Sequence, residues 1–262
     1  MEILVCVRRV PDTSENEIEL NSSGDIERNE LVYSINEPDN YAVEEALQIA
    51  SKVGGNVTVA TVGGEDDEEV LRREMAMGAH HGVLISDEAF RGSDGRGIAT
   101  ILKAFVQKAN YDLVLTGVQA EDGGAQIGGM LAALLDYPFA SLVNSIEVLD
   151  GHQLKISREI EGGNKELSEI DLPCVLSIQT GINEPRYVGM RGIRQVASVP
   201  IPTFSAAQLG IDGSNVGEAA ANVKRVDYFV PSLGQGAEIL HGSREENIDK
   251  VLELVAAKGG LK

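Results

Sequence analysis

The feature that most constrains the fold of this chain is a regular alternation of short apolar segments with longer amphipathic ones. The apolar segments are five to seven residues long, too short for buried helices and typical of strands buried on both faces; they lie at 2–7, 56–62, 82–86 and 112–117. Helical spacing of apolar residues, with cap-type residues or glycine at the ends, predicts helices at 41–53, 65–78, 97–109 and 126–136. These repeated units predict an α/β fold, a doubly wound and mostly parallel sheet with helices on both faces.

The pattern changes after about residue 140. Two segments alternate apolar and polar residues, and the Asp150-Gly151 pair between them favours a type I′ turn. This predicts a β-hairpin addition formed by 141–150 and 152–160. Further strands are predicted at 166–173 and 174–180.

Beyond residue 200 the composition shifts to proline, glycine and small residues with weak periodicity, which predicts an extended C-terminal arm. The arm ends in an amphipathic helix that Ser243 caps. The apolar stripe of this helix is formed by Ile248, Val251, Leu252, Leu254 and Val255. The predicted domains are a nucleotide-binding α/β domain over 1–200 and an arm with a helix over 201–262. Periodicity alone leaves two alternatives open: the arm docks on a partner, or it packs back on its own domain.

The charge balance excludes some function classes. The chain has 22 Lys and Arg against 41 Asp and Glu, a net charge of −19, which opposes binding of nucleic acid or of an anionic membrane surface. No segment approaches the about 20 apolar residues of a membrane-spanning helix, and no signal segment is recognisable, so no direct membrane insertion is expected. Cys6 and Cys174 both lie in apolar segments, which predicts reduced core residues of a cytoplasmic protein. The sequence has no cysteine or histidine spacing typical of a metal site, and none is predicted.

Candidate binding residues lie where predicted strands end, because ligands of open parallel sheets bind outside the carboxyl ends of the strands. Arg8 and Arg9 follow the first strand and are either phosphate ligands or solvated surface side chains. Residues 36–39 precede a helix and either contact a ligand or only cap the helix. Residues 61–64 end in two glycines, which either expose backbone amides to a ligand or form a simple tight turn.

The fourth strand end has the strongest signal. A strand leads into a glycine-rich loop at 117–129 and then into the N-terminus of a helix. Such a loop lets backbone amides approach a phosphate, and the helix dipole favours the anion. The loop matches neither GxGxxG nor GxxxxGK[ST]. Taken with the other strand ends it favours nucleotide binding, and since no nucleophile–base constellation is present, no catalytic residue is predicted.

Several of these stretches resemble the β subunit of electron-transfer flavoproteins. The similarity covers about residues 1–200, and the motifs occur in the order that the family has. The matching stretches are VRRVPD (7–12), NEPDNYAVEEAL (36–47), LRREMAMGA (71–79), LTGVQAEDGGAQIG (115–128), REIEGG (158–163) and NEPRY (183–187). The loop before Gln126 is one residue shorter than in many members of the family.

The resemblance implies a heterodimer with a larger α subunit that carries an FAD. It implies that this subunit itself binds an adenine nucleotide, either a second FAD or AMP. Carried over by position, the cofactor-binding residues are Cys6, Val7, Arg8, Asn36, Val62, Gly63, Asp94, Gly117, Gln119, Ala120, Asp122, Gly123, Gly124, Gln126, Ile127 and Gly128.

The stretch from Ser86 to Asp94 is similar to an S-D-x-x-F-x-G-x-D motif of electron-bifurcating members, whose β subunit holds FAD. Gly95 stands where those members have threonine. The resemblance favours FAD over AMP, with Phe90 expected to close the pocket. It leaves open an NADH-dependent bifurcating activity of the heterodimer.

A second stretch resembles the loop by which family members recognise partner dehydrogenases. Met190 stands where many members have an aliphatic anchor. The predicted partner-docking residues are Arg186, Tyr187, Met190, Arg191 and Arg194. The alternative is an ordinary helix surface with paired arginines.

The function that the resemblance implies is electron transfer as a subunit, rather than activity as a stand-alone enzyme. The expected donors are flavin dehydrogenases of the acyl-CoA dehydrogenase type, and the expected acceptor is a membrane quinone reductase or another protein. The alternatives are a non-redox adenine-nucleotide-binding sensor of similar fold and a small-molecule transferase.

Overall fold

A computed structural model of the protein describes residues 1–120, 124–150, 152–232, 234 and 236–260. A sheet of nine strands lies at its centre. In chain order the strands are β1 (Glu2–Cys6), β2 (Arg9–Pro11), β3 (Tyr33–Ile35), β4 (Asn56–Val62), β5 (His81–Ile85), β6 (Leu113–Gly117), β7 (Phe139–Val148), β8 (Gln153–Ile160), β9 (Asn164–Asp171), β10 (Cys174–Ile178) and β11 (Thr203–Phe204). The central sheet has the order β11-β5-β4-β1-β6-β10-β7-β8-β9, and β2 pairs with β3 in a separate antiparallel ribbon.

The first five helices lie between strands of the chain, and the last three follow β11. They are α1 (Glu37–Val53), α2 (Glu68–Met77), α3 (Gly95–Val106), α4 (Ile127–Leu135), α5 (Met190–Val196), α6 (Ala206–Leu209), α7 (Gly217–Ala220) and α8 (Arg244–Ala257). Short 3₁₀ segments occur at Glu65–Asp67, Glu88–Phe90, Glu161–Gly163 and Gly213–Asn215. None of the helices in the described ranges combines the length and the apolar character that crossing a membrane requires.

Helices cover both faces of the sheet, because alternate residues of the buried strands point to opposite sides. On one face Ile3 and Val5 pack with apolar residues of α1 and α2. On the other face Leu4 packs with apolar residues of α3 and α4. The predicted doubly wound α/β fold is confirmed.

The strand order reverses beside β1. This strand pairs in parallel with β4 on one side and with β6 on the other. The chain therefore winds outward from β1 through β4 to β5, and then returns to form β6 on the opposite side of β1. The carboxyl ends of β1 and β6 are thus the place where this fold type binds ligands.

The predicted hairpin is present, since β7 and β8 pair antiparallel and β9 extends this part of the sheet. β7 also pairs in parallel with β10, which makes the sheet mixed. The predicted strands at 166–173 and 174–180 correspond to β9 and β10. Of the predicted turn, Gly151 lies outside the described residues.

Two helices begin earlier than the apolar periodicity predicts. α1 begins at Glu37, because Pro38 fits the first turn of a helix, where its missing N–H costs no hydrogen bond. α3 begins at Gly95, because the Asp94 side chain accepts a hydrogen bond from the Gly97 amide and caps it, at 2.9 Å. Caps rather than apolar residues fix these ends.

The chain divides into two compact units. The first comprises residues 1–18 and 27–226, so it continues beyond the domain boundary predicted at residue 200. The physical reason is strand pairing: β11 pairs in parallel with β5, and Ala206 and Leu209 of α6 are buried.

The second unit comprises residues 19–26 and 227–262. Leu20 and Ile26 form an isolated antiparallel bridge. α8 follows Ser243, whose Oγ accepts a hydrogen bond from the Glu246 amide, as the sequence predicts. The five apolar side chains of the predicted stripe are 38–49% exposed. Docking of residues 201–262 on a partner stays a prediction.

Candidate functional site

The first turn of α1 connects the ends of β1 and β6. Asp39 Oδ2 accepts a hydrogen bond from the Arg8 amide at 2.9 Å, and Oδ1 accepts one from the Gly117 amide at 2.9 Å. A Cβ atom on Gly117 would lie 2.3 Å from Asp39 Oδ1, so this position requires glycine. One carboxylate therefore joins the two strands between which the strand order reverses.

The sequence analysis considered Asp39, within residues 36–39, either as a ligand contact or as part of a helix cap, and did not predict that it joins two strands. The signal that points to it is the position of an acid in the first turn of a helix that follows a polar strand end. Asp39 is 5% exposed, and this burial raises its pKa to about 7 against the opposing hydrogen bonds from Asn36, Gly117 and Arg8. The site thus contains a carboxyl group that titrates near neutral pH.

Asn36 provides a hydrogen-bond acceptor without a partner at the same strand ends. Its amide donates to the Arg8 carbonyl at 2.8 Å, and its side-chain Nδ2 donates to the Gln119 carbonyl at 2.9 Å. The residue is 1% exposed, yet Oδ1 has no hydrogen-bond partner among the described residues. A buried acceptor without a partner costs stability unless a ligand or water satisfies it. A ligand with a hydroxyl or amino donor fits this atom.

The end of β1 contributes mainly backbone. Cys6 and Val7 are buried, and the Val7 amide donates to the Ala60 carbonyl at 2.9 Å. Burial raises the pKa of the Cys6 thiol to about 12, which keeps it protonated and unreactive. Burial has the same effect on Cys174. Both cysteines are free and buried, as predicted from their apolar segments.

The two arginines after β1 differ in their surroundings. The Arg8 side chain is exposed, and its amide is the donor to Asp39. The Arg9 guanidinium lies 3.8 Å from the centre of the Tyr33 ring, and its Nε is 3.7 Å from Glu69 Oε2. Cation–π and ionic contacts thus engage Arg9 within the chain, and the sequence interpretation of it as a phosphate ligand loses its support.

The end of β4 forms a tight turn. The Gly63 amide donates to the Ile85 carbonyl at 3.1 Å, and the Gly64 amide donates to Asp67 Oδ2 at 2.7 Å. A Cβ atom on Gly63 would lie 2.1 Å from that same oxygen. Both amides are already engaged, so the structure favours the tight-turn alternative over donation to a phosphate, while Val62 and Gly63 still lie at the carboxyl edge of the sheet.

We call residues 117–126 the β6 loop. Its predicted ligand residues Asp122 and Gly123 lie outside the described residues. Gln119 is exposed and is fixed through its carbonyl by Asn36, and Ala120 is half-buried beside it. Gly124 is exposed, and a Cβ atom there would meet only the flexible amide of Gln126, at 3.0 Å. A larger residue at 124 is therefore compatible with the fold.

The end of the β6 loop brings two helix N-termini together. Gln126 precedes α4, and a Cβ atom on Gly95 at the start of α3 would lie 2.7 Å from Gln126 Oε1. The positive ends of both helix dipoles therefore meet at the carboxyl edge of the sheet. Ile127 begins α4 and packs against the core.

Gly128 has a packing role. A Cβ atom there would lie 2.2 Å from Ser177 Oγ and 2.9 Å from Thr116 Oγ1. These two hydroxyls are hydrogen-bonded to each other at 2.8 Å and are buried. Because Gly128 has no side chain, α4 packs closely on β6 and β10. This packing accounts for a glycine at this position without any contact to a phosphate.

Residues 86–94, the β5 loop, differ from the expectation of a flavin pocket. Asp94 Oδ1 caps α3, and Oδ2 accepts hydrogen bonds from the Asn222 and Val223 amides at 2.7 and 3.2 Å. Phe90 is 6% exposed within the core. The structure thus gives Asp94 and Phe90 roles in holding the chain itself.

Other polar groups of the β5 loop act in the same way. Asp87 Oδ2 accepts from the Ala206 amide at 2.9 Å, and Ser93 Oγ accepts from the Gly217 amide at 2.8 Å. The Ser86 amide donates to the Phe204 carbonyl at 3.0 Å. The loop fastens residues 204–223, a role that no pattern in the sequence indicates.

Residues 183–196 comprise the segment before α5 and the whole of α5, and we call them the docking loop after the role predicted for them. Tyr187 is 92% exposed and Met190 is 64% exposed, and their role in docking a partner stays a prediction. Arg191 and Arg194 are exposed. Arg186 instead forms an ion pair with a buried carboxylate of α1, so its charge is neutralised within the chain.

Among the described residues no group of three or more metal-ligating side chains is arranged to hold a metal ion. The geometry instead offers a polar edge suited to binding. Its elements are a buried acceptor, a titratable carboxyl and two helix N-termini.

Comparisons with known proteins agree in pointing to one family. The model of the electron transfer flavoprotein domain matches residues 24–209. An electron transfer flavoprotein subunit beta from Methylophilus methylotrophus is 34% identical over 97% of this chain and 98% of that protein. The caffeyl-CoA reductase–Etf complex subunit CarD from Acetobacterium woodii is 35% identical over 93% of each chain. The acryloyl-CoA reductase electron transfer subunit gamma from Anaerotignum propionicum is 31% identical over 98% of this chain and 99% of that protein.

Proposed function

Because this chain belongs to the electron transfer flavoprotein family as a β subunit, we propose that it works in a heterodimer with an FAD-bearing α subunit and itself holds an FAD. The nucleotide lies at the carboxyl ends of β1, β4 and β6. The observation that carries the proposal is the buried, unpartnered Oδ1 of Asn36 at the point where the strand order reverses.

The chain's own residues bind and orient the nucleotide. Asn36 Oδ1 accepts from a ribose hydroxyl or the adenine amino group. Asp39 holds the β1 and β6 ends at a fixed separation through the Arg8 and Gly117 amides. The backbone around Gly124 and the N-terminus of α4 receive a phosphate. The flavin, when bound, supplies the redox chemistry.

FAD rather than AMP is supported by the two adjacent helix N-termini. The close approach of Gln126 to Gly95 sets the starts of α3 and α4 side by side. Two positive helix ends suit the two phosphates of FAD better than the single phosphate of AMP. The Asp94 carboxylate, engaged by backbone amides, takes no part.

The heterodimer and its partners are supported by exposed apolar surface. Tyr187 and Met190 stand beside the exposed Arg191 and Arg194, a combination of anchors and charges typical of interfaces. Flavin dehydrogenases of the acyl-CoA dehydrogenase type dock here, and a membrane quinone reductase or another acceptor takes the electrons. Two relatives named as subunits of caffeyl-CoA and acryloyl-CoA reductases support a donor or acceptor that handles CoA thioesters.

The test is to produce the chain with its α subunit, extract the cofactors with acid and count them. Two FAD per heterodimer supports the proposal, and one FAD with one AMP refutes the FAD assignment to this subunit. A nucleotide without any flavin in the complex would favour the non-redox sensor instead.

The place of the nucleotide is tested with two matched glycine variants. Gly124→Ala sets a methyl group where a phosphate must approach, so we expect it to lower the retained nucleotide about tenfold. Gly213→Ala is the control, because its Cβ atom would make an ordinary 3.4 Å contact with Ala89 far along the chain from the loop. Equal retention in both variants would contradict the assignment of the β6 loop.

A further inference from the structure

We propose that Glu44 of α1 is a positioning residue for partner recognition, acting through Arg186. It holds the docking loop in the shape in which Tyr187 and Met190 meet the dehydrogenase. The inference rests on the proposed function of residues 183–196 as the docking loop, and it adds a residue outside that loop on which recognition depends.

Glu44 holds a single loop residue by three hydrogen bonds. Arg186 Nε donates to Glu44 Oε2 at 2.7 Å, Nη2 donates to Oε1 at 2.9 Å, and the Arg186 amide donates to Oε2 at 3.2 Å. Both the side chain and the backbone of Arg186 are thus fixed by one carboxylate. Such bidentate arginine–carboxylate pairs define an orientation as well as a distance.

Burial makes this contact rigid. Glu44 is 4% exposed, and Gln48 Nε2 also donates to its Oε1 at 3.0 Å. Burial alone would raise the pKa of Glu44, but the hydrogen bonds from Arg186 and Gln48 bring it below its ordinary value. The carboxylate is therefore ionised across the neutral range, and separation from Arg186 would leave it as an unpaired buried charge.

The docking loop is fastened on both sides of its exposed apolar residues. Before them, Asn183 Nδ2 donates to the Tyr41 carbonyl at 3.1 Å and to Glu45 Oε2 at 3.0 Å. After them, Arg72 of α2 donates through Nη1 to the carbonyls of Val196 and Ala197 at 2.8 and 3.1 Å.

Within α5 itself the contact with α2 is close. A Cβ atom on Gly192 would lie 2.8 Å from the Ala76 carbonyl oxygen. The residues that point outward, Tyr187 and Met190, therefore stand on a loop whose ends are fixed to α1 and α2.

Fixing the loop before it binds lowers the conformational entropy that binding must remove. Without the Glu44 contact, the Met190 side chain would still be present, but the loop would hold it in many different positions. Recognition would weaken, while electron transfer within an assembled complex would not change. The expected kinetic signature is a higher KM at an unaltered kcat.

The experiment uses the heterodimer with its α subunit and, as electron donor, a short-chain acyl-CoA dehydrogenase reduced with butyryl-CoA. Glu44→Gln keeps the shape of the side chain and removes its charge. We expect KM for the dehydrogenase to rise about tenfold with kcat within about twofold. Lys52→Gln, at an exposed position in the last turn of the same helix, is the control and should leave both constants unchanged.

A double-variant comparison shows whether Glu44 acts through Arg186. Arg186→Gln alone and Arg186→Gln with Glu44→Gln should give the same KM, because either change breaks the same contact. Additive increases would overturn the inference. Hydrogen exchange in residues 183–196 should speed up in Glu44→Gln while exchange in residues 113–120 stays unaltered; faster exchange in both would show a general loss of structure and would also overturn it.

Met190→Ala separates failure of this inference from failure of the docking assignment. A higher KM in Met190→Ala with an unaltered KM in Glu44→Gln leaves the docking loop standing and overturns the role of Glu44. Unaltered KM in both variants overturns the docking assignment and the inference together.

Discussion

Two loops at the carboxyl edge of the sheet, the β5 loop and the β6 loop, both resemble cofactor-binding motifs in sequence but differ in structure. In the β5 loop the side chains of Asp87, Ser93 and Asp94 accept hydrogen bonds from the backbone of residues 204–223. In the described part of the β6 loop, Gly124 is exposed, and the neighbouring Asn36 keeps a buried acceptor open. A polar motif at a strand end therefore marks a position where the chain needs donors or acceptors, and only the fold decides whether protein or ligand supplies them.

The difference follows from the place of each strand in the sheet. β5 lies near the edge, next to β11, so the chain that forms β11 passes directly over the loop after β5. β6 lies beside β1, where the strand order reverses. The chain around β11 satisfies the polar groups of the first loop, and we propose that a ligand binds at the second.

The largest effect is expected for Gly128→Ala, which tests whether the glycines of the β6 region serve packing or ligand approach. The new Cβ atom would lie 2.2 Å from Ser177 Oγ, so we expect a loss of about 2–3 kcal/mol in the free energy of unfolding, measured as heterodimer in denaturant. Gly129→Ala is the matched control: its Cβ atom would make an ordinary 3.4 Å contact with Phe139, and the lost glycine entropy should stabilise α4 by about 0.5–1 kcal/mol.

A second substitution distinguishes overpacking from other causes of the lost stability. Ser177→Ala removes the hydroxyl that the new methyl group would strike, so adding it to Gly128→Ala should recover part of the lost stability. Simple additivity of the two losses would show that Gly128 has a role other than packing.

The second-largest effect is expected for Asp94→Ala, which removes hydrogen bonds between the β5 loop and residues 222–223. The α3 cap and two amides of residues 222–223 lose their acceptor, and we expect the free energy of unfolding to fall by about 2 kcal/mol. Hydrogen exchange at 217–223 should become faster while the retained nucleotide stays the same. Loss of the nucleotide in Asp94→Ala would show that both loops bind it and would remove the contrast drawn above.

Most of the central fold follows from periodicity. The strand and helix segments before residue 140 keep their order in the structure, because buried parallel strands and amphipathic helices have distinct apolar patterns. Helix starts such as Gly95 were misplaced because side-chain caps fix them. The pairing of β11 with β5 was not predictable, since a strand of two residues carries no pattern of its own.

The candidate site was predictable in its place and less so in its parts. Strand ends and glycines located the edge, but the roles of Gly128 and Asp94 depend on neighbours that are 49 and about 130 residues away along the chain, Ser177 and residues 222–223. The strand-joining role of Asp39 was not predictable, because a helix-capping acid and a strand-joining acid are identical in sequence. Burial, which sequence does not show, separates the two.

The smallest effect is expected in the pH dependence of the unfolding free energy, to which two carboxylates, Asp39 and Asp94, contribute differently. Asp39 and Asp94 both accept hydrogen bonds from backbone amides, yet burial raises the pKa of Asp39 to about 7 while the Gly97, Asn222 and Val223 amides lower that of the more exposed Asp94. A raised pKa means that the folded state binds the proton more tightly than the unfolded state. The stability that Asp39 contributes is therefore present in acid and falls as the pH rises through about 7.

Asp94 has the opposite sign, because its stability contribution is present above its ordinary pKa and falls only in acid. We expect the difference in unfolding free energy between Asp39→Asn and the parent heterodimer to shift in favour of the variant between pH 5 and 8, by at most about 1.4 kcal/mol for each pH unit. The same difference for Asp94→Asn should stay constant over that range and shrink below about pH 4.

Comparing each variant with the parent cancels the titration of other buried acids, among them Glu74, whose pKa burial raises to about 8. Parallel pH profiles for the two variants would mean that burial does not distinguish the two loops, and the contrast between a covered strand end and an open one would fail.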